Sequence, residues 1–121
     1  MLQDQLLSFE PDELRGRVSR VLKCFISTRS ASDPQGMQNM VICERVRFSP
    51  PTLKKLLHGD AGKVEHLFAL VKYLGVPNFE IMEIAETYVS TQDMNFKVSA
   101  LIQRRFNSPQ SRSMNVQSKS A

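Results

Sequence analysis

The side chains best placed to do chemistry lie between positions 45 and 58. Arg45, Arg47, Lys54 and Lys55 are permanent cations, and no acid interrupts the chain between Glu44 and Asp60. On a helical wheel of 100° per residue, Pro51, Lys54, Lys55 and His58 gather on one side, at spacings of three, four and seven. Leu53, Leu56 and Leu57 gather on the other. Cations on the outward face of a short helix neutralise phosphates, while nearby hydroxyls such as Ser49 and Thr52 can hydrogen-bond to base edges. On two isolated lysines the same pattern is also that of a solvated face. Arg15 and Arg20, with Arg17 and Lys23, surround an earlier apolar stripe. They suit either a phosphate clamp or a wetted helix flank.

Other chemistries find no comparable pattern. His58-Gly59-Asp60-Ala61-Gly62-Lys63 has the flavour of a phosphate loop, but the spacing is too short and Val64 stands where a magnesium-binding Ser or Thr is needed. His58, His66, Cys24 and Cys43 lack paired metal-ligand spacing, and both cysteines sit among apolar residues, as core cysteines do. No His, Ser, Cys and carboxylate set recurs at a recognisable interval. The expectation is therefore no catalytic site, no metal and no cofactor: not an enzyme.

These side chains need helices to hold them. Leu14, Val18, Val21, Leu22 and Phe25 recur at three and four, which predicts a helix ending near Thr28, and Pro11-Asp12-Glu13 suits its first turn. Ser30–Gly36 has loop chemistry. A short helix follows over roughly Gln38–Val46. Ser49-Pro50-Pro51 is a helix start, a Ser cap followed by prolines whose missing N–H groups have no partner to lose. That helix runs to His58 and stops at Gly59. Val64, Leu67, Phe68, Val71 and Leu74 form the stripe of a further helix closed by Gly75 and Pro77. Asn78 caps one to about Ser90, and a last one covers roughly Asp93–Phe106.

The chain has 121 residues, 41% of them apolar and 23% charged, which fits one ordinary globular domain. No apolar run reaches the ~18 residues of a membrane span, and the opening residues lack the basic start of a signal peptide. With two unpaired-looking cysteines, the expected location is the reducing cytoplasm. The formal net charge of +4 conceals an uneven distribution. Residues 14–58 carry nine Lys or Arg against Asp33 and Glu44, while the acidic lead-in 1–13 holds four acids and no base. Such a block is the footprint expected for a polyanion partner.

The stretch Asn39-Met40-Val41-Ile42-Cys43-Glu44-Arg45-Val46-Arg47-Phe48-Ser49-Pro50-Pro51-Thr52-Leu53-Lys54-Lys55-Leu56-Leu57-His58-Gly59 resembles the helix-turn-helix of the lambda-repressor and Cro family. Ile42, Val46, Phe48, Leu53 and Leu56 fall at that motif's buried positions, and Cys43 falls where a small residue lies at the helix crossing. Leu74-Gly75-Val76 is similar to the end of the family's fourth helix. The resemblance covers roughly residues 14–90. It implies an all-α, lambda-repressor-like bundle of about five helices plus an extra C-terminal helix over 91–106. It also implies a double-stranded DNA partner, with residues 50–58 lying in the major groove. Arg45, Arg47, Ser49, Pro51, Thr52, Lys54, Lys55 and His58, joined by Arg15 and Arg20, would then make the DNA contacts. Three residues depart from the pattern. Arg47 stands at a turn position usually held by glycine, and Pro50-Pro51 stand where the family often reads bases with Gln or Ser. Proline offers a base only an apolar contact, for example to a thymine methyl.

Ile81, Met82, Ile84, Ala85, Tyr88 and Val89 form an apolar arc wider than a surface helix needs, and Val98, Leu101 and Ile102 extend it. This surplus points to a homodimer built on Ile81, Ile84, Tyr88, Leu101 and Ile102, or else to packing of the last helix within the monomer. Residues 107–121, rich in Ser, Gln and Asn with two bases, read as a disordered basic tail. Two functions follow: a sequence-specific transcriptional regulator such as a repressor, or an interaction module (antitoxin, anti-activator or adaptor) that keeps the fold but binds protein.

Overall fold

The computed structural model describes residues 9–59 and 63–106. Among them there are six helices and no strand: α1 (Pro11–Arg29), α2 (Asn39–Val46), α3 (Pro50–Leu57), α4 (Val64–Leu74), α5 (Asn78–Thr87) and α6 (Thr91–Phe106). The architecture is all-α. No described helix is long and apolar enough to cross a membrane. Part of the expected acidic lead-in and the whole of the expected tail over 107–121 lie outside the described residues.

α1 is the central strut. It packs against α3 on one flank and against α5 and α6 on the other, while α2 meets α3 and α4. Its stripe is almost wholly removed from water: Val21, Leu22 and Phe25 are fully buried, and Phe25 meets Phe106 edge-on at 6.4 Å. Ile42, Leu53, Leu70, Ile81, Val98 and Leu101 complete the same core, so every helix contributes to it. Each fully buried Leu or Ile is worth roughly 1.5–3 kcal/mol. Arg17 braces the far flank of α1. Its guanidinium donates to the carbonyls of Ala85 (2.7 Å) and Tyr88, between the Phe9 and Tyr88 rings.

Several expected boundaries shift, each for a local reason. α1 starts at Pro11 with Asp12 and Glu13 in its first turn, as their residue types suggest, so the expected lead-in over 1–13 gives its last three residues to the helix. Pro77, not Asn78, occupies the cap of α5. α5 stops at Thr87 because the next residues belong to the start of α6. Asp93 N–H donates to Ser90 Oγ (3.0 Å), and Val89 N–H donates to the Asp93 carboxylate (2.9 Å), a reciprocal arrangement of the capping-box kind that also starts α6 two residues early. In α4 the buried face centres on Leu70, Val71 and Leu74, leaving Val64 and Phe68 exposed at 54% and 47%.

The largest correction concerns the apolar surplus. Ile81, Ile84, Tyr88, Leu101 and Ile102 are all buried within the single chain, because α6 folds back on α5 and both lie on α1. None of the five is available to a second copy. On the same pair of helices Glu80 turns inward to Arg104 (2.9 Å) and Arg105 (2.5 Å), and these two ion pairs join α6 to α5.

Candidate nucleic-acid interface

α2 and α3 are joined by three residues, Arg47–Ser49. Arg47 closes α2 in the left-handed region (φ 66°, ψ 43°), its N–H donating to Cys43 O at 2.8 Å. It is the one non-glycine residue with positive φ among the described residues. That conformation is the one expected at this turn position, and a residue with a Cβ adopts it at a cost of roughly 1–2 kcal/mol. Phe48 N–H shares the Cys43 carbonyl at 3.3 Å, and the Phe48 ring folds against His66, 5.3 Å between centroids. Cys43 is buried, and desolvation pushes its thiol pKa up, as suits a core cysteine at a helix crossing.

Ser49 then reverses the chain with extended backbone. Its Oγ accepts from Thr52 N–H at 3.3 Å and lies 3.0 Å from Thr52 Oγ1. Pro50 and Pro51 take the first two helical positions. The inner face of α3 is locked by Leu53 and Leu56, both buried. Its C-terminal end is tied to α1 twice. Ser19 Oγ donates to Leu56 O at 2.5 Å, and Gly59, in the left-handed region (φ 82°), lies so close to Gly16 that a Cβ there would sit 3.4 Å from Gly16 Cα. α3 is therefore a short helix held firmly from behind.

Its other face is open. Pro50, Pro51, Lys54, Lys55 and His58 are exposed, as are Arg45 and Arg47 at the end of α2, while Thr52 is half-buried. Among the described residues none of Arg45, Arg47, Lys54 or Lys55 is ion-paired, and α3 itself carries no acid. The structure thus brings together eight of the ten sequence-predicted contact residues on one continuous segment. Arg15 and Arg20 lie on α1, one turn before Ser19 and directly after it, where α1 receives the end of α3. Arg15 is 3.1 Å from the exposed Asp12 carboxylate, a surface pair that contributes little, whereas Arg20 Nε donates to Tyr88 Oη at 2.9 Å. Arg20 is therefore partly committed to the helix packing behind it.

Sequence reasoning missed Ser19, the anchor of α3. The available signal was a small polar residue inside the apolar stripe between Val18 and Val21. It also missed Arg17 as a brace, since nothing local marks which arginine of a flank will find carbonyl partners 68 and 71 residues away.

Comparison with known family models, characterised proteins and solved structures finds no match for this chain. What fold and site define on their own is an all-helical protein that presents a cationic, acid-free helix from a tightly held turn.

Proposed function

We propose that the protein is a helix-turn-helix DNA-binding regulator of transcription, a repressor or activator working in the cytoplasm, with α3 seated in the major groove. The observation that carries this reading is the outward face of α3. It has two unpaired lysines and no acid, is flanked by unpaired Arg45 and Arg47, and stands on a helix fixed from behind by Leu53, Leu56 and Ser19. An unpaired cation that neutralises a phosphate releases a counterion, so duplex affinity falls with salt by about 0.9 in log–log slope per contact. Four such contacts give a slope of roughly −3.6. Fluorescence anisotropy on a labelled duplex across a salt series measures it directly. Lys54→Ala with Lys55→Ala should reduce the slope by about 1.8. The DNA reading is falsified if the wild-type chain shows no salt-dependent duplex binding at low ionic strength.

A homodimer matching two half-sites would draw on exposed side chains, and Phe79, Val89 and Phe96 are the exposed apolar residues around α5 and α6. The second reading, a protein-interaction module, is favoured by the apolar tip formed by Pro50 and Pro51 and by Met40, 80% exposed on α2. It predicts partner binding that survives the two lysine substitutions.

A further inference from the structure

The start of α3 is short of hydrogen-bond donors, and that determines what it can recognise. A helix ordinarily offers several free N–H groups at its N-terminus. Here Pro50 and Pro51 have none, Thr52 N–H is taken by Ser49 Oγ, and Leu53 N–H is taken by Ser49 O at 3.1 Å. The hydroxyls of Ser49 and Thr52 are bonded to each other. No backbone donor is left among residues 50–53, the first helical turn, for a phosphate or a purine acceptor.

The wheel then determines which side chain leads. Taking the midpoint of Leu53 and Leu56 as inward, Pro51 and His58 lie within about 10° of the outward axis, and Lys54 and Lys55 lie about 50° to either side. Thr52 lies about 110° away, in keeping with its half-buried state. In a groove the lysines would therefore face the two phosphate walls, and the Pro51 ring, with Pro50 beside it, would meet the floor. Among the base-edge groups on that floor the C5 methyl of thymine is the one projecting apolar group; the others are hydrogen-bonding groups or bare C–H edges that offer far less apolar surface. A pyrrolidine ring set against one of the hydrogen-bonding groups would strip water from a polar atom and return nothing.

We propose that Pro51, assisted by Pro50, makes this face selective for thymine-bearing steps through the thymine methyl group, while Lys54 and Lys55 supply charge without sequence preference. This inference rests on the DNA-binding reading, and its test keeps the two separable. A duplex selected from a random pool by the wild-type protein is resynthesised with deoxyuridine in place of thymine, which preserves pairing and removes only the methyl. The wild-type protein should bind it about fourfold more weakly for each contacted thymine, the effect of one buried methyl, with an unchanged salt slope. The Pro50→Ser, Pro51→Ser double variant, its helicity checked by circular dichroism, should bind both duplexes equally. Equal wild-type affinity for the two duplexes overturns the methyl inference while leaving DNA binding in place. Absence of salt-dependent binding to either duplex overturns the DNA assignment itself.

Discussion

Arg47 joins a backbone cost to a functional charge at one position, and the two can be separated by substitution. The residue sits at φ 66° with its side chain exposed, its N–H bonded to Cys43 O. Arg47→Gly removes the left-handed penalty of roughly 1–2 kcal/mol, offset by the ~0.5–1 kcal/mol that glycine's freedom in the unfolded chain costs. The net expectation is stabilisation by about 0.5–1 kcal/mol. For a domain of this size that is a rise of about 3–6 °C in Tm, read by thermal denaturation. Removing one phosphate contact at the same time should lower the salt slope by about 0.9 and weaken duplex binding about eightfold at 0.1 M salt. Arg47→Ala is the matching control: it keeps the Cβ and the strain, so it should weaken binding equally without the gain in Tm. A Tm that falls in Arg47→Gly would refute the strain argument. A raised Tm with an unchanged salt slope would show that Arg47 does not reach a phosphate.

Two further substitutions probe the frame behind the site. Burial by itself raises the Glu80 carboxyl pKa, but the hydrogen bonds and charges of Arg104 and Arg105 outweigh it and hold it below the ordinary carboxylate value. A depressed folded-state pKa contributes stability that is present above the unfolded value of about 4.5 and is lost as pH falls through the folded one. Glu80→Gln should cost roughly 1–2 kcal/mol at neutral pH, the arginines being half in solvent. It should also flatten the acid limb of the stability–pH curve in chemical denaturation; an acid limb as steep as wild type would exclude Glu80 as its source. Ser19→Ala removes the donor to Leu56 O and should cost about 1 kcal/mol in denaturant titrations, with no change in the salt slope of duplex binding. A changed slope would mean that Ser19 sets the position of α3 on DNA as well as its stability.

How much of this was legible in the sequence depended on how local each cause is. The helices were readable because spacing at three and four, Pro at a helix start and Gly75 at a helix end are properties of neighbouring residues. The left-handed turn at Arg47 was readable only through the resemblance to the helix-turn-helix pattern, whose glycine position this residue occupies. Long-range pairing was not readable. Glu80 shares its apparent stripe with Glu83 and Glu86, and only the return of α6 selects it for Arg104 and Arg105. Likewise Ile81, Ile84, Tyr88, Leu101 and Ile102 looked surplus because their consumer is another part of the same list. A hydrophobic arc on one helix does not say whether its cover comes from the same chain or another.

The same limit applies to charge, where it bears on function. Counting nine bases between residues 14 and 58 suggests a footprint of that size. In the folded chain three of them have other occupations. Arg17 is bonded to the carbonyls of Ala85 and Tyr88, Arg20 to the Tyr88 hydroxyl, and Arg29 lies 4.2 Å over the Phe106 ring with a hydrogen bond to Ser32. Each has a tie that commits part of its guanidinium to the fold. The cations with no such tie within this block are Arg45, Arg47, Lys54 and Lys55, with Lys23 farther along α1 and Arg15 joined only to an exposed acid. The basic block is thus divided by the fold into a bracing set and a presenting set. The presenting set clusters on the turn and on α3, and for that reason a salt slope near −4 fits this structure while one near −8 would require the bracing arginines to contact phosphates as well.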